Sequence, residues 1–151
     1  MVNKLKVFIS LDTRTMFLLV EAYLYLGWAR ILISLPFAKI APSLGVHMQE
    51  TSDTQLDKNR IVLKNIAHAI DIMSQRTLWE SKCLVKAIAG LKMLARRKIE
   101  STLYLGMARD DSAKMIAHAW LRSGPFYVTG KQGMEKFTVV GKFAKRMSGK
   151  G

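Results

Sequence analysis

Apolar residues run almost without a break through the stretch TMFLLVEAYLYLGWARILISLP, from Thr15 to Pro36. A stretch of this length raises the question of a membrane span. Glu21 and Arg30 interrupt it, and each charge is costly at the centre of a bilayer. We therefore predict a buried or interfacial helix of a soluble protein that ends at Pro36, and we do not expect membrane association. Four of its side chains fit either a core or an interface: Leu18, Tyr25, Trp28 and Leu32.

Two further helices are predicted. Between them and the first helix, the segment from His47 to Asp57 is rich in Ser, Thr, Gln and Asp, which indicates a mobile loop. An approximately helical stripe predicts the second helix over residues 58–74. The third has Ser81 as its candidate N-cap and basic residues 96–98 in its last turn, where they complement the helix dipole. Its apolar residues recur at three- and four-residue spacing: Leu84, Ala87, Ile88, Leu91 and Leu94.

The pattern changes after the third helix. The runs TLYLGMA, MIAHAWLR, FYVTG and FTVVGKF are short, rich in aromatic and branched residues, and separated by turn-like segments. This pattern is typical of antiparallel strands. We therefore predict an α+β protein in which the third helix packs on a small antiparallel sheet, followed by a disordered tail over residues 146–151.

Charge is distributed unevenly along the 151 residues, whose formal net charge is +13. Residues 81–151 contain 15 basic and 4 acidic side chains, so an anion-binding surface is expected in this half. Five of these basic residues lie near the predicted strands and fit either a solvated face or attraction of an acidic peptide: Arg109, Lys114, Arg122, Lys131 and Lys136.

Cys83 is the single cysteine, so no intrachain disulfide and no cysteine-based zinc cluster can form, which suits a reducing cytoplasm. Its place at the start of the third helix favours the thiolate form, and His118 lies on a predicted strand. A thiol nucleophile needs a histidine to exchange its proton. A small buried side chain and a core histidine are the alternatives. His47 and His68 have no second ligand at useful spacing, so we expect no metal and no cofactor.

The segments LWESKCLVKAIAGLKMLARRKIESTLYLGMARDD and IAHAWLRSGPFYVTG carry a family resemblance. A Cys-Leu pair opens the helix, a Leu-Gly strand follows, and Ala-His-Ala-Trp begins the next strand. Together with EAYLYLGWAR and LPFAKIAPSLG, this order resembles the stand-alone transglutaminase-like cysteine peptidases of lasso peptide biosynthesis, whose fold is related to papain. The resemblance implies a helical region and linker over residues 1–57 and a peptidase core over residues 58–145.

By this resemblance, Cys83 is the nucleophile and His118 the general base of a leader peptidase. The expected substrate is a ribosomally made precursor peptide, consisting of leader and core. The expected partners are a small winged-helix leader-binding protein and an ATP-dependent macrolactam synthetase. Trp120 would lie on the same strand face as His118 and either wall the site or fill the core.

One departure from the family concerns the group that orients His118. The wider family places an Asp on the strand after the histidine, where this chain has Thr129 and Gly130. The nearest acids are Asp110, Asp111 and Glu135, and none can be assigned this role. A backbone carbonyl or Thr129 could act instead, because orientation requires only an acceptor for the second ring N–H.

Three other functions remain open. A nucleic-acid-binding module is suggested by aromatic residues among the basic ones, namely Tyr104, Trp120, Phe126 and Tyr127. An acyltransferase or amidase would use the same acyl-enzyme, intercepted by an amine. A non-catalytic scaffold would explain the missing Asp.

Overall fold

A computed structural model describes residues 13–51, 57–76 and 82–146 of the chain. These residues form four α-helices, one short 3-10 helix over Met134–Lys136 and five β-strands. The predicted α+β class is confirmed. Most of the predicted tail lies outside the described residues. Its first residue, Arg146, hydrogen-bonds Gln49 Oε1 and the Glu50 carbonyl oxygen.

The helices are α1 (Thr13–Leu32), α2 (Phe37–Leu44), α3 (Asp57–Ser74) and α4 (Cys83–Arg96). The second predicted helix is confirmed almost to the residue as α3. The first helix ends at Leu32 rather than at Pro36, because residues 33–35 form turn hydrogen bonds to the last carbonyls of α1.

Helix α2 was not predicted from the sequence. It has only eight residues and contains Pro42, so its periodicity is too short to detect. It forms because Pro36 precedes its first turn and because Ile40 and Leu44, one turn apart, are buried in the core.

The strands are β1 (Val46–His47), β2 (Ser101–Arg109), β3 (Met115–Ser123), β4 (Phe126–Thr129) and β5 (Thr138–Lys145). They form one sheet in the order β1-β5-β2-β3-β4. Every pairing is antiparallel, and all four predicted strands are confirmed. Strand β1 was missed because it contains only two residues.

The segment from His47 to Asp57 is predicted to be a mobile loop, and the structure corrects this for residues 47–51. His47 belongs to β1, and Thr51 is buried against Thr102, whose Oγ1 accepts a hydrogen bond of 2.8 Å from the Thr51 N–H. Polar composition alone gives no sign of this attachment, because the partners lie on a distant strand.

The two faces of the sheet have different neighbours. Leu103 pairs with Leu121 across β2 and β3, and both face the helices as part of the core. A methyl group built on Gly90 of α4 would lie 2.8 Å from Leu121 Cδ2, so the helix and the strand pack very closely there. Side chains alternate along a strand, so His118, Trp120 and Arg122 lie on the opposite face.

One continuous core lies between the helices and the sheet. Helix α1 contributes Leu19, Ala22, Leu26 and Ala29, which face α3 and α4. Each fully buried leucine contributes about 1.5–3 kcal/mol relative to an exposed one. Of the four α1 side chains predicted as core or interface, Leu18, Tyr25 and Leu32 pack against this core, whereas Trp28 is 52% exposed.

Candidate active site

Cys83 is the first residue of α4. The N-cap position belongs to Lys82, whose side chain makes no capping hydrogen bond. The proposed cap, Ser81, lies outside the described residues, and Cys83 follows the cap directly rather than by two residues. Cys83 is half-buried and packs against the core. Its sulfur therefore lies at the positive end of a 14-residue helix dipole.

The imidazole of His118 is held by the backbone. Its Nε2 lies 2.8 Å from the carbonyl oxygen of Gly130. A carbonyl oxygen can only accept, so Nε2 donates and Nδ1 is the nitrogen left to act as a base. Of the two acceptors considered from the sequence, the structure selects the backbone carbonyl. Thr129 Oγ1 is buried and has no partner among the described residues.

Two aromatic rings contact the imidazole. The Trp120 ring centroid lies 5.6 Å from that of His118, and the Phe137 centroid lies 5.1 Å away. The prediction that Trp120 shares a face with His118 is confirmed. Phe137 was missed, because its position just before β5 gives no signal that it folds back over β3. These rings and the Gly130 carbonyl fix the orientation of His118.

The same sheet face continues into a buried polar network. Tyr104 stacks on Trp120 with a centroid distance of 5.6 Å, and Arg122 Nε donates to the Tyr104 hydroxyl over 3.0 Å. The hydroxyl donates in turn to Glu50. Burial and the Glu50 hydrogen bond raise the pKa of Tyr104 to about 12, although Arg122 opposes this shift. Arg122 also donates to the Thr51 and Gly124 carbonyls.

The burial of this network corrects two expectations from the sequence. One was that Arg122 attracts an acidic peptide, and the other was that Tyr104 and Trp120 stack on nucleic-acid bases. Arg122, Tyr104 and Trp120 are all less than 8% exposed, so they cannot attract a peptide or stack on nucleic-acid bases. Phe126 and Tyr127 are half-buried. The other four basic residues near the strands are exposed: Arg109, Lys114, Lys131 and Lys136.

No carboxylate in the described residues hydrogen-bonds His118. Asp110 accepts hydrogen bonds from Ser112 and Lys114 within its own turn, which lowers its pKa. Asp111 and Glu135 are exposed. The acid that is missing from the sequence is therefore not supplied by another part of the described structure.

Cys83 and His118 lie at the same end of the sheet. At the opposite end, Ile99 N–H donates to Leu94 O of α4, and Ser123 Oγ donates to Glu100 O. The end of α4 is therefore close to the end of β3. Cys83 lies two helical turns before Gly90, and His118 lies three residues before Leu121, roughly 10 Å in each case.

The two side chains do not hydrogen-bond each other in the structure. Cys83 packs on the helix side of the sheet, whereas His118 belongs to the face that carries Trp120. The alternation along β3 thus separates a pair that the sequence predicted to face each other. Their assignment as nucleophile and base stays a prediction.

The other histidines have separate surroundings. His47 stacks on Phe143 with a centroid distance of 5.1 Å, and His68 is exposed on α3. Within the described ranges, no group of three or more His, Cys, Asp or Glu residues could hold a metal ion. Helix α1 is long and apolar enough to cross a membrane, but the same holds for core helices of soluble proteins.

The comparison with protein families agrees with this architecture. A family model described as transglutaminase-like superfamily matches residues 23–142. This range contains most of the chain, including the cysteine helix, strands β1 to β4 and the first part of β5, so the protein belongs to the transglutaminase-like superfamily. The superfamily includes cysteine peptidases. Neither the search of curated proteins nor that of solved structures found a significant match.

Proposed function

We propose that the protein is a cysteine peptidase that removes the leader from a ribosomally made lasso precursor peptide. It would act in the cytoplasm with a separate winged-helix leader-binding protein, before an ATP-dependent macrolactam synthetase closes the freed core. The observation that carries this proposal is a single cysteine at the N-terminus of α4, at the same end of the sheet as a histidine whose Nε2 is held by a carbonyl. The superfamily match and the Cys-Leu and Ala-His-Ala-Trp segments support it.

The chemistry is acyl transfer through a thioester. The Cys83 thiolate attacks the scissile carbonyl carbon, and the oxyanion that forms accepts a hydrogen bond from the Cys83 N–H at the helix start. Protonated His118 Nδ1 donates its proton to the departing amine of the core as the carbon–nitrogen bond breaks. Water then gives a proton back to Nδ1 as its oxygen attacks the thioester, and the carbon–sulfur bond breaks to release the leader acid and restore the Cys83 thiolate beside protonated His118.

The reaction requires Nδ1 of His118 and Sγ of Cys83 to come within hydrogen-bond distance. The structure keeps them on opposite faces of the sheet, so the site must rearrange for them to meet; shortening of an existing hydrogen bond is not enough. We propose that the bound precursor and the leader-binding protein bring the two side chains together. This would make activity depend on the partner.

An apolar surface beside His118 fits a peptide substrate. Met115 and Ile116 precede His118 on β3 and are 49% and 38% exposed. Val139 and Val140 of β5 are 42% and 57% exposed. Gly106 of β2 pairs with Val139 on one side and with His118 on the other. Exposed apolar residues next to a candidate site favour binding of an extended apolar segment.

The test is mass spectrometry of a candidate precursor incubated with the protein and the leader-binding partner. Wild type should cleave one bond, and Cys83→Ala and His118→Ala should lose this activity by at least about a hundredfold. His68→Ala is the matched control, because His68 is exposed on α3, and it should cleave like wild type. If both site variants cleave normally, or if wild type leaves the precursor intact although the complex forms, the proposal is wrong.

A further inference from the structure

Helix α1 presents an apolar face that the described structure leaves uncovered. Five large side chains recur along it at three- and four-residue spacing and are 46–70% exposed: Phe17, Val20, Leu24, Trp28 and Ile31. The opposite face of α1 is buried in the core through Leu19, Ala22, Leu26 and Ala29. We call the five exposed residues the α1 stripe. A contiguous exposed apolar surface of this kind marks an interaction site.

The stripe borders a groove rather than a flat surface. The groove has a volume of about 830 Å³ and is walled by α1 on one side and by Val62, Asn65 and Ile66 of α3 on the other. The stripe residues that line the groove, from Phe17 to Trp28, run over about three helical turns, roughly 17 Å, so a helix of similar length fits along it. Amphipathic helices dock in such grooves through anchors spaced by three, four and seven residues.

The charges around the groove restrict what can bind. Arg14, Arg96 and Arg97 line it together with one acid, Glu21. Glu21 is already paired with Arg97 at 2.5 Å and with Arg96 at 3.1 Å. Arg14 and the 63%-exposed side chain of Arg96 therefore leave the rim cationic. An occupant with carboxylates beside its apolar anchors complements this rim.

Two other occupants fit the observations less well. A second copy of this chain would bring another cationic rim and another net charge of +13 against the first. A bilayer would have to cover the ion pairs of Glu21 and the side chain of Asn65, which line the groove, and burying such groups in hydrocarbon is costly.

From the exposed stripe, the groove and its cationic rim, we propose that this surface binds an acidic amphipathic helix of a partner protein. The inference does not depend on the peptidase chemistry, since the groove is lined by residues other than Cys83 and His118. It concerns assembly of the protein with another chain.

The probe is a synthetic alanine-based helical peptide with leucines at positions i, i+4, i+7 and i+11 and glutamates only at positions that flank the leucine face. A second peptide has lysines in place of the glutamates. Binding is measured by calorimetry to the whole protein at low and moderate salt. The acidic peptide should bind at least about tenfold more tightly than the lysine peptide, with an affinity that falls as salt rises.

Two sets of variants separate docking on the α1 stripe from general attraction to a basic protein. The double variant Phe17→Gln and Leu24→Gln keeps every charge and should weaken acidic-peptide binding by at least about tenfold. Ile61→Gln is the matched control, because Ile61 is 70% exposed on α3 but lies outside the groove, and it should change binding less than about twofold. Arg14→Gln should weaken binding and reduce its salt dependence.

The proposal is overturned if the acidic peptide does not bind, or if it binds the double variant as tightly as wild type. Co-sedimentation tests the bilayer, using phosphatidylcholine vesicles with and without phosphatidylglycerol. Stripe-dependent binding to vesicles, with no peptide binding, would assign the surface to a membrane. Dimerisation that the double variant abolishes would assign it to a second copy. Circular dichroism confirms that each variant is folded.

Discussion

His118 Nε2 donates its proton to the carbonyl oxygen of Gly130, so a backbone group does what the family resemblance implies for an aspartate. A backbone carbonyl fixes the ring as a carboxylate would, but it supplies no negative charge to stabilise the imidazolium. Gly130 has a φ of 74°, a backbone conformation that residues other than glycine rarely adopt. Position 130 therefore favours glycine over aspartate, and the backbone carbonyl of this glycine accepts the hydrogen bond from His118.

The first prediction concerns the tautomer of neutral His118. Because Nε2 is bound to an acceptor, the Nε2–H tautomer should dominate. Long-range proton–nitrogen NMR spectra of the wild type and His118→Gln identify the His118 ring nitrogens and their protonation. A predominant Nδ1–H tautomer at high pH would contradict the observed geometry.

The second prediction concerns Gly106, which pairs with His118 across β2 and β3. A methyl group there would lie 2.8 Å from Phe137 Cβ and 2.9 Å from the Trp120 ring, which are the two groups that contact His118. Gly106→Ala should therefore cost about 1–3 kcal/mol of unfolding free energy and shift the His118 resonances.

Gly141→Ala is the matched control for Gly106→Ala. A methyl group on Gly141 would meet Leu105 and Phe143 at 3.8–4.0 Å, which is ordinary contact. This variant should unfold within about 0.5 kcal/mol of wild type in urea. Equal effects of the two variants would show that packing around His118 is looser than the structure indicates.

The third prediction concerns Glu21, which joins α1 to the end of α4 through Arg97. Burial alone would raise the pKa of Glu21, but the hydrogen bonds and charges of Arg97 and Arg96 outweigh it and hold the pKa below 4.5. The folded state therefore gains stability above the unfolded-state pKa and loses this gain as pH falls through 4.5 and below.

Glu21→Gln should lower the unfolding free energy by about 1–3 kcal/mol near neutral pH, and this difference should shrink in acid. Urea titrations at several pH values measure it. Glu135→Gln is the control, because Glu135 is exposed, and it should change stability little. A Glu21→Gln difference that stays constant from neutral to acidic pH would contradict the assigned pKa direction.

The fourth prediction concerns Tyr104, whose pKa is raised to about 12. Because the unfolded chain releases this proton near pH 10, the stability that Tyr104 contributes should be lost as pH rises from about 10 towards 12. In an ultraviolet titration, one of the four tyrosines should ionise late. Tyr104→Phe should lack this late phase. Simultaneous titration of all tyrosines in the folded wild type would disagree with a buried phenol.

Much of the fold could be predicted from local patterns. The helical spacing of Leu84, Ala87 and Ile88 locates α4, and the four runs of branched and aromatic residues locate strands β2 to β5. Each of these segments is long enough for its pattern to be detected. The short elements α2 and β1 were missed because eight and two residues are too few to show a period, and both are held in place by β5.

The site was less predictable, because its geometry depends on long-range pairing. The sequence indicates Cys83 and His118 as candidates, but it cannot show that alternation along β3 places His118 on the face opposite α4. The burial of Arg122 and Tyr104 was also hidden, since Tyr104 donates to Glu50, which comes from a segment expected to be a loop.

The measurement that tests the central claim most directly is detection of a leader thioester on Cys83. The protein, its leader-binding partner and the precursor are mixed, quenched in acid during turnover and examined as intact protein by mass spectrometry. We expect an adduct of the leader's acyl mass that maps to Cys83 and is removed by hydroxylamine, together with loss of both adduct and cleavage in Cys83→Ala. Normal release of the leader by Cys83→Ala would contradict the assignment of Cys83 as the nucleophile.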